Sequence, residues 1–376
     1  MGHREHRGRD LVIAALRGEA TETVPVGVLT WGYDYLWRVA GLAPWQLACG
    51  STDTWHRTLL ALLERHQPDI LWFLRTGSGS EDPTLLDEDA RRWVVRDNNT
   101  GRTHALLKDS LTMVDPETGA SRRPAALGEM HSQDDVDAVI PTDGGLAELY
   151  RAQLVRLIEE VGDRALVMPC TSPAYIRACY AFGFERSMEA MLFEPELFTY
   201  ACERYRMQEE QHMRELAESS VQAVYVADGW ASCDVISPAM FERFALPYQA
   251  TITEAIYQAG MQIVLWNEGN ILPILDQEAT LQVDAFHFEQ PRKGVDLTVE
   301  RVREAFGPAR CLFGNIDSEG LLIQGDPEGI RDVVGDQLRQ SGRGAPFVLC
   351  TGSPLPSNVA PEAVDVMIDA ARAFRW

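Results

Sequence analysis

Eight short apolar runs rich in Val, Ile, Leu and Phe punctuate this chain. They are VPVGVLTW (24–31), DILWFLR (69–75), ALVMPC (165–170), QAVYVAD (222–228), MQIVLW (261–266), VDAFHFE (283–289), RCLFGNI (310–316) and PFVLCTG (346–352). Between them lie segments whose apolar residues recur at helical spacing, such as ELYRAQLVRLIEEVG and SPAMFERFALPYQATITEAIYQAG. Strands that lack polar alternation are covered on both faces, and alternation with helices implies right-handed crossovers and a parallel sheet. Eight such strands point to closure. The expected fold is therefore α/β, a single (β/α)8 TIM barrel domain spanning residues 1–376. No GxGxxG or P-loop follows the first run, which leaves a nucleotide fold without support.

Residues 76–130 break the repeat. They run through RRWVVRDNNTGRTHALLKD, with an Asn-Asn-Thr-Gly turn between two strand-like runs, and predict an inserted β-hairpin beside the barrel mouth.

A chain of 376 residues with 45% hydrophobic residues can bury a large core. Its net charge of −22 argues against nucleic acid or anionic membrane as a partner, because phosphate backbones are bound through Lys and Arg. A small-molecule substrate is expected instead. The N-terminal apolar run, Leu11 to Leu16, is too short for a signal peptide core or a membrane span. The seven cysteines are odd in number, scattered and without a CxxC pair, which fits reduced thiols in a cytoplasmic protein.

In a barrel of this kind the active site is built where strands end. Trp31, Tyr33, Asp69, Trp72, Tyr175, Asp228, Trp230, Asn267, Glu268, His287, Glu289 and Asn315 stand at or near those positions. Each also has an ordinary structural reading: Asp as a helix N-cap or turn residue, Trp as core or rim packing. His287 and Glu289 are two apart, so they share one face of a strand, with Phe286 and Phe288 on the other. A buried His and Glu on one face need each other's hydrogen bonds or a ligand's.

The segments RDLVIAALRGEATETVPVG, PDILWF, VYVADGWASCDVISPAMFERFALPYQATI, VLWNEGNILPIL, CLFGNIDSEGLLIQGDPEGI and PFVLCTGSPLPSNVAPEAV together resemble the uroporphyrinogen decarboxylase superfamily, which includes cobamide-dependent methyltransferases. The resemblance covers nearly all of the chain except the inserted hairpin. It implies a homodimer, because related barrels are often dimers. Methyltransferases of the superfamily hold zinc with a His-x-Cys after the fifth strand and a Cys after the eighth. Trp266, Glu268 and Ser353 stand at those positions here, so the zinc motif is absent. True uroporphyrinogen decarboxylases carry an Arg-rich motif after the first strand to grip porphyrinogen carboxylates. LTWGYDYLWRVAG stands there, with aromatics in place of arginines.

The resemblance and its departures together lead to the expectation of a cofactor-independent acid–base decarboxylase or related lyase acting on a small aromatic or heteroaromatic substrate. Asp69 is expected to stabilise the substrate ring, His287 and Glu289 to transfer protons, and Glu268 to orient the substrate or act as a second acid. Trp31, Tyr33, Trp72, Tyr175 and Trp230 are expected as stacking walls, with Asp228, Asn267 and Asn315 as further substrate contacts. The alternatives are a corrinoid-linked methyltransferase or demethylase and, in another class, a catalytically lapsed barrel that binds a ligand. A metal site rebuilt from Glu268, His287, Glu289 and Asp228 is a further option on ligand type alone.

Overall fold

Ile70 and Trp72 point to one side of their strand and Leu71 and Phe73 to the other, and both sides are buried. This double burial is what the unbroken apolar runs predict, and it recurs through the sheet. The computed structural model describes residues 7–21, 23–32, 34–74, 79–119, 130–142, 145–292 and 294–375. Its strands are β1 (Ile70–Phe73), β2 (Thr84–Glu88), β3 (Arg92–Arg96), β4 (Thr103–Leu107), β5 (Met113–Val114), β6 (Leu166–Thr171), β7 (Ala223–Ala227), β8 (Gln262–Asn267), β9 (Ala285–Phe288), β10 (Cys311–Phe313) and β11 (Phe347–Val348).

Seven of them form a curled parallel sheet in the order β1-β6-β7-β8-β9-β10-β11. The run at 24–31 is not a regular strand. It makes one parallel bridge, Val26 to Leu349. Pro25 has no N–H to give to a ladder, which leaves its carbonyl to accept from Leu349 N at 2.9 Å. Gly27 N donates to Leu349 O and Asp69 N to Val26 O, both at 2.8 Å. The segment thus links the two edges of the sheet.

Two apolar layers result. Trp72, Tyr225, Trp266, Phe313 and Cys350 face the inside of the curl, while Phe73, Val226, Leu265 and Phe286 face the helices outside. Each fully buried large side chain contributes roughly 1.5–3 kcal/mol. Helix Gly8–Leu16 adds Val12, Ala15 and Leu16 to the inner layer. It lies over the amino ends of the strands, because Gly8 abuts Asp69 and the Arg164 carbonyl, the positions just ahead of β1 and β6.

Outer helices stop and start where local chemistry directs. Helix Thr52–His66 is capped by Ser51 Oγ, which accepts from Thr54 N at 3.1 Å, and it ends at Gln67 in the left-handed region. A π-turn at Phe241–Ala245 precedes helix Leu246–Gln258, whose Pro247 has no N–H for a tight backbone ladder. That helix carries Gln249 inward.

The inserted segment forms a four-stranded antiparallel sheet, β2-β3-β4-β5, rather than a single hairpin. β3 and β4 flank the Asn-Asn-Thr-Gly turn, with Gly101 at φ 71, and β2 and β5 extend the pair on either side. All seven cysteines are free thiols. Among the described residues no helix is long and apolar enough to cross a membrane.

Candidate active site

A cavity of about 480 Å³ opens at the carboxyl ends of the parallel strands. Trp31, Tyr180 and Trp266 supply its aromatic lining, Asp34 and Glu268 its carboxylates, and Ser172, Ala227, Gly229 and Pro354 the remainder. A larger groove of about 750 Å³ lies outside, between helices Pro195–Glu218 and Leu246–Gln258. The strand-end cavity is the better candidate, because several strands and loops converge there.

Glu268 follows β8 directly and is half-buried. Its carboxyl lies over Gly229, where a Cβ would sit 2.8 Å from Oε1, so the missing side chain at 229 makes room for it. Trp266, the penultimate residue of the same strand, lines the cavity. Its Nε1–H donates to Gly352 O at 3.2 Å, and its ring packs on Trp31 with centroids 5.5 Å apart. Trp230, expected as a wall, does not line the cavity; it packs edge-on to Tyr180 at 5.0 Å and Phe184 at 5.2 Å.

Behind Glu268 sits a buried polar cluster. Asn267 Oδ1 accepts the Glu268 N–H at 2.9 Å, and Asn267 Nδ2 donates to Glu278 Oε1 at 2.8 Å. Gln249 Nε2 donates to Asp228 Oδ2 at 3.0 Å. Asp228 Oδ1 and Glu278 Oε2 are buried and have no donor among the described residues. Burial pushes Asp228 up to about 7 and, with the Asp228 charge adding to it, pushes Glu278 up to about 8. The cluster therefore holds a proton at neutral pH.

His287 and Glu289 share a strand face as expected but are not bonded to each other. His287 Nε2 lies 2.9 Å from the Thr351 carbonyl, which can only accept, so Nε2 carries the proton. Nδ1 then accepts from Tyr225 OH at 2.7 Å. Burial pushes the imidazole down to about 3. With both nitrogens engaged and no charge available, His287 is a satisfied core residue, and the proton-transfer role expected for it is corrected.

Glu289 is a clamp between loops. It accepts from Gly269 N at 2.7 Å and Ser353 Oγ at 2.8 Å, and pairs with Arg292 at 2.9 Å. Burial raises its carboxyl above the ordinary carboxylate value despite these donors. Asn315 is likewise fully used: Nδ2 donates to the carbonyls of Glu289 and Leu297, and Oδ1 accepts from Gln337.

Asp69 is corrected too. It opens its strand, so it lies at the amino end, opposite the cavity, where Oδ2 accepts from Val26 N at 2.7 Å. Trp72 is buried inside the curl against Tyr225, and Tyr175 lies in the outer core with its OH on Trp230 O at 3.2 Å, so neither lines the cavity. Tyr33 lies outside the described residues. Asp34, Tyr180 and Glu278 are site residues the expected set omits. Tyr180 carries a faint signal, an aromatic beside the site on a helix starting just after β6, whereas Glu278 reads as an ordinary helical acid.

The donor set does not fit the superfamily's zinc. Trp266 offers no ligand atom, and the Ser353 hydroxyl is spent on Glu289. Among the described residues no three or more His, Cys, Asp or Glu are grouped to hold a metal ion.

Comparison with known proteins gives three findings. The family model described as Uroporphyrinogen decarboxylase (URO-D) matches residues 113–374. A uroporphyrinogen decarboxylase of Parasynechococcus marenigrum is 27% identical over 263 residues, 66% of this chain and 71% of that protein. One of Dichelobacter nodosus is 28% identical over 193 residues, 51% of this chain and 49% of that protein, so the chain spans about half of that relative. Among solved structures, a methyltransferase from Methanosarcina mazei superposes with a TM-score of 0.72 at 18% identity, covering 98% of each chain. At that identity the likeness concerns the fold.

Proposed function

The chain belongs to the uroporphyrinogen decarboxylase family, and from that premise we propose that it is an acid–base decarboxylase or related lyase for a small aromatic or heteroaromatic substrate, working without a cofactor. In this reading the curled sheet, completed by the segment at 25–29, is a (β/α)8 barrel with an antiparallel insertion, and the enzyme works as a homodimer in the cytoplasm. The observation that carries the reading is the Glu268 carboxyl set over Gly229 in an aromatic cavity at a strand's carboxyl end.

The chemistry follows from charge. A proton taken from solvent in the cavity adds to the ring carbon that bears the substrate carboxylate and makes the ring cationic. The C–C bond to the carboxylate then breaks, its electron pair returns to the ring and cancels that charge, and CO2 leaves. A carboxylate facing the ring stabilises the cationic intermediate, and Glu268 is placed for this. Trp31 and Trp266 wall the ring, and the Asn267 and Glu278 pair behind holds the Glu268 backbone in place.

The second reading is methyl transfer or demethylation. It is favoured by the fold shared over 98% of each chain with the methyltransferase from Methanosarcina mazei. Assay of a panel of aromatic and heteroaromatic carboxylates for CO2 release tests the first reading. Turnover that falls about 100-fold or more in Glu268→Gln supports it. Methyl transfer to an added corrinoid protein with no CO2 release selects the second reading. Binding without turnover in either assay marks a lapsed, ligand-binding barrel.

A further inference from the structure

We infer that Glu289 is a positioning residue, a metal-free latch that ties the loops after β8 and β11 to each other and so fixes Glu268 and Pro354 in the cavity wall. The inference rests on the reading of this cavity as the substrate site and adds to it what holds the site together where zinc does not fit.

The disagreement with the superfamily's zinc is the starting point. A metal ligated from the ends of the fifth and eighth strands, here β8 and β11, would cross-link those two ends. This chain has Trp266, Glu268 and Ser353 at the ligand positions. The indole of Trp266 has only a donor to offer and gives it to Gly352 O at 3.2 Å, which joins β8 to the loop after β11 directly. The Ser353 hydroxyl donates to Glu289 Oε1 at 2.8 Å. Both residues are thus engaged in hydrogen bonds that bring the same two ends together.

One buried carboxylate completes the link. Glu289 follows β9 directly and is 1% exposed. Its Oε2 accepts from Gly269 N at 2.7 Å while Oε1 takes Ser353, so its two oxygens are divided between two loops. Each loop meets the carboxylate with the neighbour of a cavity residue: Gly269 follows Glu268, and Ser353 precedes Pro354. Glu268 is therefore bracketed, its own N–H on Asn267 Oδ1 and the next N–H on Glu289.

Glycine permits the close approach at both places. A Cβ at 352 would collide with the backbone N of Gln290, so the bare residue lets the loop sit against β9's end and brings Ser353 within reach of Glu289. A Cβ at 269, where φ is 73, would lie 2.5 Å from Asp234 Oδ2 and 2.7 Å from Ser232 Oγ. That contact seats the loop after β8 on the loop after β7, where Cys233 N donates to Asn270 O at 2.9 Å and Asn270 N to Asp234 Oδ2 at 3.0 Å. The loops after β7, β8, β9 and β11 are held as one unit around a carboxylate.

Hydrogen exchange of the full chain, read by mass spectrometry over peptides containing 268–270 and 352–355, tests the latch. In Glu289→Ala both peptides should exchange about tenfold or more faster than in wild type while the peptides of the parallel strands stay protected. Glu289→Gln keeps an oxygen for Gly269 N and turns an amide to Ser353 Oγ, which can accept, so both rates should stay within about threefold of wild type. Ser353→Ala cuts one arm only and should speed 352–355 alone, which decides the matter if Glu289→Ala does not fold. Unchanged rates in Glu289→Ala and Ser353→Ala overturn the latch. One equivalent of zinc chloride added to chelator-treated wild type should leave both rates as they are; zinc retained with slowed exchange of the two peptides overturns the metal-free link. In the CO2-release assay Glu289→Ala should lower kcat per folded molecule about tenfold or more with KM within about twofold, and Glu289→Gln should recover most of the loss. An unchanged kcat in Glu289→Ala beside loosened loops overturns the positioning role. Wild type that releases no CO2 from any carboxylate of the panel overturns the decarboxylase reading, and the exchange rates still decide the latch.

Discussion

Asn267 and Glu278 are joined by a 2.8 Å hydrogen bond under the floor of the cavity, and the other end of the same amide accepts the Glu268 N–H at 2.9 Å. A buried acid eleven residues beyond Asn267 in sequence thereby holds the amide that fixes the Glu268 backbone. The bond is neutral in character because burial keeps Glu278 protonated up to about pH 8. This makes the link insensitive to the charge of the acid and sensitive to the presence of an acceptor.

Glu278→Gln keeps a carbonyl oxygen for Asn267, whereas Glu278→Ala leaves a buried amide without an acceptor. The alanine variant is expected to lose about 1–3 kcal/mol of stability and the glutamine variant less than about 1 kcal/mol. Urea denaturation of both variants beside wild type decides the matter. An alanine variant as stable as wild type would show that the bond contributes nothing.

The buried acids give a pH signature. Asp228 rises from 3.8 to about 7 and Glu278 from 4.5 to about 8, so the folded protein holds more protons than the unfolded chain across that window. Their contribution to stability is fully present below the unfolded values and is lost as pH rises through about 7 and about 8. His287 acts in the opposite sense: its value falls from 6.5 to about 3, so its neutral burial costs stability progressively as pH drops below 6.5. Stability curves of wild type and the Asp228→Asn/Glu278→Gln double variant should converge in shape below about pH 4 and diverge above it, with wild type the steeper in its decline. Parallel curves from pH 4 to 9 would show that neither acid is shifted upward.

Tyr225 OH is the donor that satisfies His287 Nδ1. Tyr225→Phe leaves that nitrogen buried and unpaired, at a cost of about 1–3 kcal/mol. Nitrogen NMR of wild type should show the Nε2–H tautomer and no titration of this imidazole between pH 5 and 8. Titration in that range would return His287 to the list of proton carriers.

Asp69→Asn and Asp69→Ala address the amino end of the sheet. Removing the acceptor of Val26 N weakens the link between the sheet's edges and should cost about 1–3 kcal/mol in the alanine variant. Turnover of the carboxylate panel per folded molecule should not change. A loss of turnover without a loss of stability would place Asp69 in the site after all.

Residue periodicity alone located seven of the eight expected strands, and it placed His287 and Glu289 on one face with Phe286 and Phe288 on the other. The eighth, at 24–31, survives only as a bridge because Pro25 and Gly27 weaken the ladder, something its apolar content conceals. The composition of the insertion signalled a turn, but the two outer strands pairing with it depend on antiparallel register that short runs do not encode.

Glu268 was legible because a carboxylate following an apolar strand is locally anomalous, and the structure lines the cavity with it. Asp69, His287, Trp72 and Tyr175 were equally prominent in the sequence yet belong to the amino end, the interior of the curl and the outer core. A strand's alternation tells which residues share a face. Which end of the strand meets the cavity, and whether a polar group is already satisfied, depend on partners more than sixty residues away, as Tyr225 and Thr351 are from His287. The sequence by itself determined the layers, the absence of the zinc motif and the place of Glu268. Only the tertiary structure decided that Tyr180 and Asp34 join it and that Glu278 supports it, because burial and hydrogen-bond satisfaction are properties of the packed whole.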